Sequence, residues 1–253
     1  MSRFIEHQKK ISRYKLIIMD FSPYTSTKSE IPVPTLWSGV SYEQKETDIY
    51  RLTVKKNGFL YMAMEPLAKT YEIVKGYVKL SQYSDGGKET IVSLLKPGDM
   101  FGNFDPTDPY AYEHAQAMSK VELKVFESST LKQAIRHDPA FVLQMLSALQ
   151  KRNYQLQRHI AAIAFKDVAE RIQGFLLFLA KEFGKIHEHT AFVDNFLTHH
   201  DISLVNQTSR QSVSTILSRM KAKEVIYYDR HQIIIHLDKL KSTVQEHREY
   251  YAF

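Results

Sequence analysis

Cysteine is absent from the sequence. That excludes disulfides, thiol catalysis, Cys-ligated zinc and Cys-ligated iron–sulfur clusters, and it fits a cytoplasmic protein. No apolar run approaches the roughly 18–20 residues needed to cross a bilayer, so no membrane partner is expected. Basic residues Arg3, Lys9, Lys10, Arg13 and Lys15 precede only a short apolar patch at 16–19, Asp20 follows at once, and no small-residue cleavage site is present; no signal peptide is expected. The signatures G-x-x-x-x-G-K-[ST], G-x-S-x-G and H-E-x-x-H are also missing, and an enzyme is not expected. What remains is a chain of 253 residues, 43% hydrophobic and 25% charged, with a formal net charge of +6. These values suit one large or two ordinary globular domains.

A more local absence carries more information. Residues 207–223 hold Arg210, Arg219, Lys221 and Lys223 but no Asp or Glu. A stripe of one sign suits a polyanionic partner, although a solvated helix face gives the same pattern.

Prolines 23, 32 and 34 and the Ser/Thr-rich stretch 22–29 break up the first 48 residues, where a short helix, a loop and a link into the first strand are expected. From about 50 to 126 the pattern is that of strands. Runs 59–64, 71–73, 77–82, 90–94 and 121–126 are rich in aromatic and β-branched residues, and Asn57-Gly58, Lys75-Gly76, Asp85-Gly86-Gly87 and Pro97-Gly98-Asp99 punctuate them. Short strands at this spacing predict a sandwich or barrel. Asp99, Asp105 and Asp108 read as turn residues.

The period then changes to that of helices. Ser128, Ser129 and Thr130 offer caps for a short helix, and Asp138-Pro139 opens a longer one. Within it Leu146, Asn153 and Ile160 recur every seven residues, as do Val142, Leu149, Leu156 and Ile163. With the first set at a and the second at d, they form a heptad seam of about three repeats. Asn153 would be the buried amide that fixes register. Packing of this helix on its own domain is the alternative. Residues 168–183 form a further amphipathic helix with Gly184 as its C-cap, and 187–195 read as a loop or short strand.

A helix over about 199–205 follows, with Thr198 as N-cap and Asp201 placed for a capping box. Asn206 stands where a left-handed residue is needed. Thr208 or Ser209 caps a second helix running to about 223, whose core face is Val213, Ile216, Leu217 and Met220. Arg210, Gln211, Ser212, Ser214 and Thr215 lie off that face near its start. Arg and Gln there can pair with guanine or adenine edges in a major groove, and helix-turn-helix proteins read bases with this part of the second helix. Strands at 225–226 and 233–237 flank Asp229-Arg230-His231-Gln232 as a hairpin wing whose Arg230 and His231 can meet phosphates. Residues 238–245 look like a closing helix. A generic small α+β domain is the alternative.

The segment LTHHDISLVNQTSRQSVSTILSRMKAKEVI, residues 197–226, resembles the Crp/Fnr family of bacterial regulators: Leu-Thr, Asp-Ile, a turn that is usually Gly, then Ser/Thr-Arg-Glu-Thr-Val-Ser. IIIHLDKL is similar to the family's following strand end. YEIVKGYVKLSQYSDGGKETIVSLLKPGDMFG, residues 71–102, resembles its cyclic-nucleotide-binding-like jelly roll. The resemblance spans about 50–240. It implies an α+β architecture with an N-terminal β jelly roll, a long central dimerisation helix and a C-terminal winged helix-turn-helix. The expected divisions are an extension over 1–48, an effector-sensing roll over 49–137, the dimerisation helix over 138–165 and the DNA-binding domain over 166–253. It further implies a homodimer on a palindromic operator in double-stranded DNA, with RNA polymerase as an expected partner.

By the resemblance, Arg210 is the main base-contacting arginine. Gln211 stands where the family usually has Glu, and Thr215 replaces a long basic residue found in some members. Thr208, Ser209, Ser212, Ser214, Arg219, Lys221, Lys223 and Arg230 complete the expected DNA-binding set. The effector positions depart further. The family's Gly-Glu segment becomes Gly102-Asn103, and the Arg-Ser/Thr pair that holds a cyclic nucleotide's phosphate aligns with Ala111-Tyr112. A buried phosphate would lack its basic partner, so cyclic AMP is not expected. Leu156 stands near where adenine would be recognised. No cofactor or metal is predicted, and any small-molecule effector is left unidentified. Haem ligation by His114 stays open, with a structural or exposed histidine as the plainer reading. His187, His189, His199 and His200 match no rigid metal spacing and are expected at the surface. A ligand sensor acting through protein partners, its DNA domain vestigial, is the competing function.

Overall fold

The computed structural model describes residues 40–42, 49–104 and 110–249. The expected helix and loop near the start, and the turn roles of Asp105 and Asp108, lie outside them.

Alternating apolar side chains build the first half. Among the described residues it has nine strands: β1 (Val40–Tyr42), β2 (Ile49–Val54), β3 (Phe59–Tyr61), β4 (Lys69–Lys75), β5 (Val78–Tyr83), β6 (Glu89–Leu95), β7 (Met100–Gly102), β8 (His114–Ala117) and β9 (Val121–Glu127). They form two antiparallel sheets, β1-β2-β9-β4-β7 and β3-β8-β5-β6. Leu52 and Val54 of β2 oppose Leu123 and Val121 of β9. All four are buried with Ile73, Val78, Leu80 and Phe101 in one core, so the period-two pattern fixes the register. The Asp85-Gly86-Gly87 hairpin is present, with Gly87 at φ +76°. Strands β7 and β8 were not expected; His-Ala-Gln-Ala has no strand signature of its own.

Three helices follow: α1 (Ser128–His137), α2 (Pro139–Phe165) and α3 (Val168–Phe183). The N-cap of α1 is Glu127, whose side chain makes no capping bond. Strand β9 runs directly into the helix, so the expected caps Ser128, Ser129 and Thr130 fall inside its first turn. Asp138 does cap α2, accepting from the Phe141 amide at 3.0 Å. With 27 residues, α2 is about 40 Å long. Asp167 and Glu170 form a capping box on α3. Gly184 follows α3 but is extended, at φ −89°. It is not a left-handed cap. A Cβ there would lie 2.5 Å from the Ala180 carbonyl oxygen, so close approach explains the glycine.

The C-terminal unit is an antiparallel sheet, β10 (Lys185–His187), β11 (Thr190–Asp194), β13 (Gln232–His236) and β12 (Ile226–Tyr228) in that order, with helices α4 (His199–Val205), α5 (Arg210–Ala222) and α6 (Leu237–Glu249). Its core joins Ile172, Leu176, Leu179, Val193, Ile202, Val213, Leu217 and Ile235. No described helix is long and apolar enough to cross a membrane.

Strand β5 is buried on both faces over Val78, Lys79, Leu80 and Ser81. Val78 and Leu80 fill the roll, while its other face meets the C-terminal unit. Lys79 bridges Glu89 at 2.9 Å and Asp201 of α4 at 3.7 Å. Tyr77 stacks on Phe196, ring centroids 4.0 Å apart, and donates to Asp194 at 2.9 Å. Burial, then the Asp194 carboxylate, push this phenol up to about 12.

A second junction joins the roll, α2 and α3. Glu182 accepts from Lys151 at 2.6 Å and lies 3.5 Å from Lys96. Burial alone would raise its carboxyl, but the two lysines outweigh it and hold Glu182 below the ordinary value. Protons therefore bind more tightly to the unfolded chain, and the stabilisation is present above the ordinary carboxyl range and lost as pH falls through it. Glu182→Gln is expected to lower stability near neutral pH by about 1 kcal/mol and to flatten its acid dependence. Urea unfolding at pH 7 and pH 4 checks both.

Candidate nucleic-acid interface

Helix α4 is held by a capping box: the Asp201 amide donates to Thr198 Oγ1 at 3.1 Å and the Thr198 amide to Asp201 Oδ2 at 2.9 Å. The turn after it differs from expectation. Asn206 has φ −91°, and Gln207, at φ +50°, is the left-handed residue. Asn206 is buried instead, its side-chain amide donating to Ile202 O at 2.8 Å. A left-handed non-glycine residue is uncommon. Here the Gln207 side chain is tied to Thr90 of β6 and to Leu204 O.

Arg171 of α3 was not singled out from the sequence. It donates to Asn206 O at 3.0 Å and to Lys166 O at 2.8 Å, joining the turn to the end of α2. An arginine three residues inside an amphipathic helix carries no signal of that role.

Helix α5 begins at Ser209, which accepts from the Ser212 amide at 3.0 Å. Val213, Leu217 and Met220 are buried and Ile216 partly so. Arg210, Gln211, Thr215 and Arg219 are exposed, while Thr208, Ser212 and Ser214 are half-buried. Burying one stripe leaves the Arg210–Thr215 side turned outward without an acidic neighbour on the helix. The Lys221 ammonium lies over the rings of Tyr227 and Tyr228, at 4.9 and 5.2 Å, and both Lys221 and Lys223 are exposed near the helix end. The wing tip is closed by Asp229, which accepts from the His231 and Gln232 amides at 2.7 and 2.9 Å. Arg230 and His231 are exposed there, bonded to each other. These turn bonds hold the Asp229 carboxyl below its ordinary value.

Of the histidines expected at the surface, His187, His189 and His200 are exposed, but His199 is half-buried. No metal-binding group of His, Asp or Glu occurs among the described residues.

On α2, Leu146, Leu149, Asn153, Ile160 and Ile163 are exposed, Ile160 at 65% and Leu146 at 52%, whereas Val142 and Leu156 are half-buried. The flank of the same helix that carries the half-buried Leu156 packs on the chain itself: Met145 is buried, and Arg152 pairs with Glu113 at 3.3 Å.

Of the four positions expected for an effector, Gly102, Asn103 and Ala111 flank one segment, Met64 to Lys69. Gly102 has φ +100°, and a Cβ would stand 2.7 Å from the Lys69 carbonyl oxygen. The Asn103 side chain donates to Leu67 O at 2.8 Å. Ala111 exchanges backbone bonds with Met64 and Glu65 and is buried, while Tyr112 is 62% exposed. Inside the roll Tyr61, Tyr71 and Phe101 stack, with centroids 5.2–6.2 Å apart.

Residues 51–138 match the family described as cyclic nucleotide-binding domain, and residues 170–243 match the Crp-like helix-turn-helix domain. The chain belongs to the Crp/Fnr family. It is a Crp-family transcription regulator carrying a helix-turn-helix DNA-binding domain. Among its relatives, the global nitrogen regulator of Nostoc sp. (strain PCC 7120) is 28% identical over 73% of this chain and 84% of that protein. The CRP-like cAMP-activated global transcriptional regulator of Mycobacterium tuberculosis (strain H37Rv) is 28% identical over 65% of this chain and 78% of its own length. FixK2 from Bradyrhizobium japonicum shares the Crp/Fnr fold, with a TM-score of 0.69 at 19% identity over 77% of this chain and 96% of that one.

Proposed function

We propose that this Crp/Fnr regulator binds a palindromic operator as a homodimer in the cytoplasm, without control by cyclic AMP through the family's phosphate site. The observation that carries it is the outward, cation-bearing start of α5, Arg210 to Thr215, on a chain whose α2 leaves most of a heptad seam exposed. Pairing two copies along Leu146, Leu149, Asn153, Leu156, Ile160 and Ile163 would remove that apolar stripe from water. It would also present two reading helices to successive major grooves about one turn apart.

Arg210 and Gln211 are assigned to base edges, with Ser212, Ser214 and Thr215 beside them. Thr208, Ser209, Arg219, Lys221, Lys223 and Arg230 are assigned to phosphates, where they set register and affinity rather than sequence. RNA polymerase is the protein partner proposed for the promoter-bound dimer, on the family resemblance alone. At the effector positions Ala111 and Tyr112 supply no guanidinium for a cyclic phosphate. Arg152 is engaged by Glu113, and the Asn103 amide is spent on Leu67 O. These support a regulator that ignores cyclic AMP, because burying a phosphate without a cationic partner is costly.

Arg210→Ala is expected to cost about 1–3 kcal/mol on a cognate duplex and to relax specificity. Salt-titrated gel shifts on genomic fragments measure it, and equal loss on random DNA counts against the base-reading role. Leu146→Asp/Ile160→Asp is expected to sediment as a monomer and to lose operator binding while keeping its helical circular dichroism. Titration calorimetry with cyclic AMP is expected to show no heat of binding, and a micromolar isotherm would overturn that part.

A further inference from the structure

His199 lies at the first position of α4, off the helix that faces outward, yet it touches both neighbouring elements. Its Nδ1 is 2.9 Å from Ser214 Oγ of α5. Its ring meets Tyr228 of the wing strand edge-on, centroids 5.6 Å apart and planes at 70°. Ser214 is one turn along α5 from Arg210, beside the residues assigned above to base edges. A serine hydroxyl left to itself has one donor and two acceptor sites and rotates to suit whatever it meets. It can serve either kind of base edge and discriminates little. Tied to a half-buried imidazole, it keeps one orientation.

We propose that His199 is a positioning residue for sequence discrimination: its Nδ1 accepts from the Ser214 hydroxyl, so that only the lone pairs of that hydroxyl are left to face the groove, as acceptors. The inference rests on the reading of α5 as the base-contacting helix. His199 acts as a neutral partner: burial, then the Arg210 guanidinium, lower its tendency to take up a proton. The charged groups around it favour the same state. Arg210 stands on α5, Lys221 lies over Tyr228 on the wing side, and on its own helix Asp201 is engaged by Thr198 and Lys79. A neutral ring adds no cation to the phosphate contacts, so its loss should leave salt dependence alone.

The probes are the duplex that the wild-type chain selects from a randomised double-stranded pool and a scrambled duplex of equal composition. His199→Phe keeps a ring against Tyr228 but removes the nitrogen; His199→Asn places an amide near the site of Nδ1. From the usual worth of one hydrogen bond, His199→Phe and Ser214→Ala are each expected to lower the ratio of selected to scrambled affinity about three- to tenfold. The double variant should lose no more than the larger single change, since partners in one contact are not additive. His199→Asn should stay within about twofold of wild type on the same scale. Affinity for the scrambled duplex and its salt slope should not move. The proposal is overturned if the Phe and Ala effects multiply in the double variant, if Asn is as poor as Phe, or if both duplexes weaken in parallel. Should Arg210→Ala also leave the ratio intact, the base-reading role of α5 fails with it; should Arg210→Ala lower the ratio while His199→Phe does not, this inference alone fails.

Discussion

Lys79 is only 8% exposed, on a strand whose alternate side chains fill the β roll. Its ammonium is balanced by carboxylates on two elements, Glu89 of the roll and Asp201 of α4. Burying a charge is tolerated when it is paired and hydrogen-bonded; Glu89 supplies the hydrogen bond from within the roll, and Asp201 adds a second carboxylate only with the C-terminal unit in place. Asp201 also caps α4 through Thr198. One carboxylate therefore starts the first helix of the DNA-binding motif and helps to neutralise a lysine of the β roll. Tyr77 on Phe196 and Gln207 on Thr90 lie along the same contact, so the orientation of α5 is set from the roll as well as from its own core.

Much of this was legible in the residues. Thr198 and Asp201 mark the start of α4 because the cap chemistry is local. Val213, Leu217 and Met220 mark α5 because burial on a helix repeats every three to four residues. The hairpin at Asp85-Gly86-Gly87 and the cap at Asp138 are equally local. What escaped is whatever depends on partners far along the chain. Gln207 holds the left-handed position because its side chain finds Thr90, 117 residues away, so local steric preference pointed to Asn206. His199 looked like a surface residue because Ser214 and Tyr228 reach it only after folding. Strand β5 gave no sign that its outer face, Lys79 and Ser81, would be covered, since polar residues there ordinarily mean water. The assigned base and phosphate contacts were legible as chemistry and position, while their orientation depends on core packing that no spacing reports.

The β roll is also tied to α2 through a buried tyrosine. A cation from α2 reaches the neighbourhood of the stacked aromatics. Arg152 reaches Glu113, and the Tyr61 hydroxyl donates to the same carboxylate oxygen at 3.3 Å. Burial, followed by Glu113, raises the Tyr61 phenol well above its ordinary value. This chain of bonds runs from the core of the roll to the helix that carries the exposed seam.

Gln207 has a consequence for how such proteins diverge. Where the turn holds glycine, its backbone asks nothing of the other half of the molecule, and a reading head can be exchanged for another with little regard to the sensor it joins. A glutamine bent into the same conformation and fastened to Thr90 makes the two halves heirs to each other's substitutions. Substitutions at Thr90 of β6 and at Gln207 of the turn are therefore expected to act as a coupled pair.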